Sequence, residues 1–215
     1  MPELTLLQKI VVYAVPVIFA ITVHEVAHGW IANYFGDPTA KSQGRLTLNP
    51  LKHIDPIGTV VLPMVLLYLG GIVFGWAKPV PVTWQNLRHP RRDMALVAVG
   101  GPMANLVMMV LWAILAKLVL LSQPTSQLAG MVLVMCSAGI IINIVLMVLN
   151  MLPILPLDGG RVLTSLLPLN IARKYARLEP FGLIFIIVLL FTGVLFKILV
   201  PIVSVIEASV YSLIN

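Results

Sequence analysis

Between Leu128 and Leu152 the chain carries no charged side chain, and Met94–Leu121 carries one, Lys117. A helix of about 20 apolar residues crosses the roughly 30 Å hydrocarbon core of a bilayer. Leu6–Tyr34 and Phe181–Leu199 are also long and apolar enough to do so. A soluble domain could not hide this much apolar surface: 60% of the 215 residues are hydrophobic and only 10% are charged, too few to coat a globule. With lipid as solvent, backbone polar groups must be satisfied internally, which favours helices. The sequence therefore predicts an all-α polytopic membrane protein, a single domain over residues 1–215, with about four full transmembrane helices.

The segments between these spans are less regular. Pro56–Gly75 is apolar but short, interrupted by Pro63 and by Gly70-Gly71, and reads as a re-entrant segment. Gly44–Pro50 alternates apolar and polar residues, and Lys78–Val82 is proline-flanked like an edge strand. Together they predict a short cytoplasmic-side β element. Pro201–Asn215 reads as a short interfacial helix, because Glu207 makes a deep location costly. Met1-Pro2-Glu3 lacks the basic region of a signal peptide, so the first span is read as retained.

The net charge of +6 does not point to nucleic acid. Lys and Arg sit in the connections between spans, the positive-inside pattern, rather than on one soluble face. Arg88, Arg91 and Arg92 precede Met94–Leu121. Arg161, Arg173, Lys174 and Arg177 follow Leu128–Leu152. Both groups belong on the cytoplasmic side of a cell (inner) membrane, and the uncharged Ser122–Gln127 turn faces outward. Cys136 is the only cysteine, which excludes an internal disulfide and a thiolate metal cluster. Trp30, Trp76 and Trp84 read as interfacial anchors, and Trp112 as packing within a span.

Chemistry concentrates at His24-Glu25-Val26-Ala27-His28, an HExxH motif inside an apolar span. Positions i and i+4 share one helix face, so both imidazoles can reach one zinc ion. Glu25 then lies beside the position where a water, acidified by the metal, would give up its proton. Surface histidines of a soluble helix could show the same spacing. Within lipid, three ionisable side chains in five residues are expensive unless they serve a function.

A hydrolytic zinc site takes a third protein ligand and keeps one open position. The acidic residues are Glu3, Glu25, Asp37, Asp55, Asp93, Asp158, Glu179 and Glu207. Asp37, Asp55, Asp93 and Glu179 lie in basic loops or at span flanks, where surface pairing is expected. Glu3 and Glu207 lie towards the termini. Asp158 remains, after a helix-breaking Pro153…Pro156 stretch and before Gly159-Gly160, which permits close backbone approach. A helix-capping aspartate with two turn glycines is the alternative for it. His53 and His89, in basic loops, read as solvated surface histidines.

HExxH in one span, Gly101-Pro102-Met103-Ala104-Asn105 in a second and Asn150…Pro153…Leu157-Asp158-Gly159 closing a third together resemble the site-2 protease family (peptidase M50). Pro50, Asp55-Pro56-Ile57-Gly58 and Phe74-Gly75-Trp76-Ala77-Lys78-Pro79 resemble its compact prokaryotic branch, without PDZ or CBS modules. The resemblance implies an intramembrane zinc metalloprotease, with one zinc held by His24, His28 and Asp158, Glu25 as general base, and transmembrane proteins as substrates. It also brings Asn105 and Asn150 near the site, as donors to an oxyanion or to substrate backbone, or as glue between helices. A membrane zinc carrier or sensor, or a catalytically silent homologue, could use the same ligands. The oligomeric state is not set by the sequence.

The metal site constrains topology. His24 and His28 lie near the C-terminal end of one span, and Asp158 at that of another, so the two must run in the same direction. An odd number of crossings must separate them. Met94–Leu121 supplies one, so Pro56–Gly75 should not be a second, and both chain termini should lie outside.

Overall fold

The computed structural model describes residues 4–70, 75–123 and 126–214. The helices are α1 (Leu6–Tyr34), α2 (Thr39–Ser42), α3 (Leu62–Gly70), α4 (Pro90–Leu121), α5 (Gln127–Asn150), α6 (Asp158–Leu166), α7 (Leu169–Ala176), α8 (Glu179–Phe191) and α9 (Val194–Ile214). Four of them, α1, α4, α5 and α9, are long and apolar enough to cross a membrane. Side chains such as Ile10, Phe19, Val107, Leu111, Leu118 and Ile184 face outward from the bundle, the surface expected of a multi-pass membrane protein.

Thr5 starts α1 with a capping box: its hydroxyl accepts from the Gln8 N–H, and the Gln8 side chain accepts from the Thr5 N–H. This satisfies helix-end donors that lipid could not. At about 1.5 Å per residue α1 is about 43 Å long, more than a bilayer core. α4 packs antiparallel to α1, and α5 antiparallel to α4. The contacts fix both senses: α1 positions 28 and 20 meet α4 positions 97 and 105, and Trp112 and Asn105 of α4 meet Gly139 and Asn143 of α5. Gly139 leaves no room for a Cβ beneath the Trp112 ring, so Trp112 is a packing residue, as expected. The core that joins α5 to α8 and α9 is built from Cys136, Ile140, Ile144, Ile186, Leu195 and Val210. α1 and α5 therefore run in the same direction, the arrangement the metal site demands.

The last span differs from expectation. Phe181–Leu199 is not one helix: α8 ends at Phe191, and Gly193 (φ 74°) turns the chain before α9 begins at Val194. Pro201–Asn215 is not a separate interfacial helix, since α9 runs unbroken through Pro201 to Ile214. A left-handed glycine is a strong helix stop. A proline inside a helix costs one hydrogen bond and often no more than a bend when neighbours pack on both sides. The glycine outranked the proline.

The β element is also replaced. The described residues contain no strand: 44–49 form turns and bends, and 78–82 is irregular, with no ladder partner. Pro79 and Pro81 lack N–H donors, and a buried arginine has taken over the carbonyls: Arg45 Nη2 donates to Lys78 O at 2.9 Å and to Pro79 O at 3.3 Å. The Lys78 N–H donates to His53 O, and His53 Nε2 donates to Thr47 O. His53 is thus buried rather than a solvated surface residue, whereas the His89 side chain is largely exposed.

Asp37 and Asp93, expected to pair on the surface, are both fully buried. Asp93 accepts from the His89 N–H at the start of α4 and pairs with Arg92. Asp37 accepts from the Thr39 N–H and hydroxyl, the Thr83 N–H and the Asn86 amide, and so ties the end of α1 to the entry of α4. Nearby, the Arg88 N–H donates to Phe35 O, so α1 ends where α4 begins. Burial works against the charge of Asp37, but hydrogen bonds from Thr39, Asn86 and Thr83 outweigh it and hold the carboxyl below its ordinary range. A depressed folded-state pKa contributes stability above the unfolded value of about 3.9, lost as pH falls through the folded value. Below about pH 4 the Thr83 and Thr39 amides should therefore lose hydrogen-exchange protection before those of α4 and α5. In Asp37→Asn that acid-dependent step should disappear.

Candidate metal centre

α1 and α4 meet at glycines. A Cβ on Gly100 would strike Ile31, and one on Gly101 would lie 2.6 Å from His24 Cε1 and Nε2 and closer still to His28 Nε2. The bare backbone of Gly100-Gly101-Pro102 therefore leaves space beside both imidazoles. The third participant arrives from the chain beyond α5. After Met151–Leu157 turns, Asp158 opens α6, and Gly159 and Gly160 let that helix lie against the carbonyls of Met151, Leu152 and Ile154.

Three ligand atoms converge there. His24 Nε2 and His28 Nε2 are 3.0 Å apart, and Asp158 Oδ2 is 3.3 Å from the first and 3.4 Å from the second. They lie close enough together to share one metal ion, the one such group among the described residues. The tautomers follow from what lies behind each ring. His28 Nδ1 is 2.7 Å from Val97 O, a carbonyl that can only accept, so Nδ1 carries the proton and Nε2 a lone pair. His24 Nδ1 is 2.6 Å from Asn105 Oδ1, which imposes the same choice. Asp158 Oδ2 is buried and has no hydrogen-bond donor.

With both rings neutral, three lone pairs therefore face one another and no proton lies between them. Protonating one imidazole would satisfy one contact and leave another lone pair without a partner, whereas a cation satisfies all three. Tetrahedral zinc, with ligand distances of about 2.0–2.2 Å, sets its ligand atoms about 3.3–3.6 Å apart. The observed triangle fits with a small opening at the two histidines, and two imidazoles with one carboxylate are an ordinary zinc donor set.

Glu25 is tethered separately: its Oε2 accepts from the Val80 N–H at 2.8 Å. Val80 also lies against Gly29, where a Cβ would be 2.7 Å from Val80 Cγ1. The irregular 78–82 segment thus serves the site through one backbone N–H. The two asparagines brought forward by the resemblance part company. Asn105 is fully buried, and its amide hydrogens go to Asn143 Oδ1 (2.8 Å) and Ala20 O (3.4 Å), leaving none for an oxyanion. Asn150 Nδ2 donates to Leu146 O one turn back in α5, outside the triangle. Asn143, buried in α5, was not singled out in the sequence. Its signal was an amide in the middle of an apolar span, the kind of residue that lipid tolerates only with a partner.

Fold and site together define a multi-pass helical membrane protein with a His2Asp constellation, near one end of its bundle, that could hold a metal ion. The model of peptidase family M50 matches residues 12–195, and the chain belongs to that family. It is 38% identical over 187 residues to the Bacillus subtilis protein named "Putative zinc metalloprotease YwhC", covering 83% of this chain and 79% of that one. Two proteins named "Putative zinc metalloprotease Rip2" are also similar. The one from Mycolicibacterium smegmatis is 32% identical (83% of this chain, 66% of its own length), and the one from Mycobacterium tuberculosis H37Rv is 33% identical (79% and 62%). No solved structure matches the chain.

Proposed function

We infer that this protein is a zinc metalloprotease that hydrolyses peptide bonds in or beside transmembrane segments of other membrane proteins. The observation that carries the reading is the convergence of the three ligand atoms of His24, His28 and Asp158, in a chain of a peptidase family whose relatives bear zinc metalloprotease names. One zinc per chain would bind there and supply Lewis acidity to a carbonyl and to a water. Glu25 is the general base: Val80 holds Oε2 and leaves Oε1 to take the proton from the attacking water and return it to the leaving amine. Asn150 is the remaining side-chain candidate for steadying substrate backbone. An apolar groove lined by Val15, Ile18, Phe19, Thr22, Leu48 and Pro50 lies along α1 on the turns before His24. It suits a locally unwound transmembrane peptide arriving from the lipid.

The purified protein in detergent should contain about one zinc per chain, and phenanthroline should abolish cleavage of a helical membrane substrate until zinc is restored. Asp158→Ala and His28→Ala should each strip the metal, while His53→Ala and His89→Ala keep it. Metal loss from His53→Ala with retention in Asp158→Ala would remove the basis of this reading.

The same reading places the site on the cytoplasmic side of the cell membrane, by the distribution of arginines, with the chain from 56 to 75 re-entrant. Gly71–Phe74 lies outside the described residues, but the closeness of Phe35 to Arg88 supports a return to the same side. Single cysteines introduced at Lys52 and Arg88, in a Cys136→Ser background, should be labelled from one side only. Labelling from opposite sides would overturn the topology.

A further inference from the structure

Behind His24 lies a chain of buried amides whose direction is dictated from its far end. Asn143 Nδ2 is 2.7 Å from Gly139 O, a carbonyl of its own helix that can only accept. The amide group must therefore face Gly139, which turns Asn143 Oδ1 towards α4. That oxygen also can only accept, so Asn105 must present its NH2, at 2.8 Å. Ala20 O, a second carbonyl, asks for the same orientation. Asn105 Oδ1 is left pointing at His24 Nδ1, 2.6 Å away, and it must accept. Asn105 and Asn143 are both completely buried, so no water can correct a reversed amide.

We propose that Asn143 is a positioning residue for the metal site: acting through Asn105, it fixes the tautomer in which His24 Nε2 offers its lone pair. The proposal rests on the metal-site reading above. Asn143 touches neither ligand nor substrate. Without it, Asn105 keeps only the long contact to Ala20 O and can rotate its amide. An NH2 group facing Nδ1 would move the imidazole proton to Nε2, where it blocks metal binding. Partners behind a ligating histidine typically change metal affinity about 10- to 100-fold when removed.

Plain helix–helix glue between α4 and α5 would also place an asparagine pair here, so the test must separate polarity from packing. Zinc affinity of the full-length protein in detergent is measured by competition with a chelating dye, alongside the visible spectrum of the cobalt-substituted protein and helical content without metal. Asn143→Leu should weaken zinc about 10- to 100-fold with helical content unchanged. Asn143→Asp should stay near wild type. Buried and neutral, the acid donates its proton to Gly139 O and accepts from Asn105, preserving the direction of the chain. The decisive comparison uses Asn105→Asp, whose carboxylate accepts from His24 Nδ1 in either orientation and needs no instruction from Asn143. In that background Asn143→Leu should no longer weaken zinc. Equal weakening in both backgrounds would show that Asn143 only packs, and no weakening in either would show that it does nothing for the site. Both outcomes overturn the proposal. Asn143→Ser, which breaks the contact to Asn105 with a smaller side chain, takes the place of Asn143→Leu if the latter does not fold. A wild-type protein that binds no zinc would instead overturn the metal-site reading itself.

Discussion

Glu25→Gln protein is expected to bind zinc like wild type and to lose nearly all proteolytic activity. Glutamine has the size and reach of glutamate, and its carbonyl oxygen can still accept the Val80 N–H that holds Glu25 Oε2. The ligand triangle of His24, His28 and Asp158 does not include residue 25, so the metal site should stay intact. What is lost is the ability to take a proton from the attacking water. General-base catalysis contributes about two to four orders of magnitude in rate, so cleavage of a helical membrane substrate should fall by about that factor, with zinc content constant. A protein that merely carried or sensed metal would behave differently: its metal flux would survive Glu25→Gln, and neither form would cleave. Wild-type cleavage by the variant would exclude Glu25 as the base.

How much of this was legible in the sequence depended on the range of the interactions involved. Apolar runs are read locally, so Leu6–Tyr34 appears as α1 with the expected bounds, and Met94–Leu121 and Leu128–Leu152 lie within a few residues of α4 and α5. The HExxH pair was legible because its two rings sit one turn apart on one helix. Asp158 was legible by elimination, since lipid leaves few places for a carboxylate. Contacts distant in sequence were not. Nothing local says that Asn105 will meet His24, 81 residues earlier, or Asn143, 38 residues later. Nor does composition say that Asp37 and Asp93 will be buried as organisers of the α1–α4 junction. The same charge and turn propensities would describe a solvated loop, and only the donors contributed by Thr83, Asn86 and His89 decide the matter. At Gly193 and Pro201 two local helix-breaking signals competed, and the proline was given too much weight: α9 begins after Gly193 and runs through Pro201.

The second large effect should come from a residue with no side chain. Gly101→Ala is expected to empty the metal site as fully as Asp158→Ala does, although all three ligands remain. The added methyl would sit 2.6 Å from two atoms of the His24 ring and nearer still to His28 Nε2, in the space that the convergent lone pairs surround. Relief by moving α4 away from α1 is opposed on both sides of residue 101. Val97 O holds His28 Nδ1 one turn before it, and Asn105 Oδ1 holds His24 Nδ1 one turn after it. The rings must therefore rotate, and rotation takes their Nε2 atoms off Asp158. Helix propensity should not mask the loss, because exchanging glycine for alanine inside a helix normally stabilises by about 0.5–1 kcal/mol. Gly130→Ala in α5 provides the control: nothing lies within 4 Å of its added methyl, and that variant should keep its zinc and its activity. Metal analysis of the purified proteins checks both. Gly101→Ala with a full complement of zinc would mean that the metal is not held between these two histidines and Asp158.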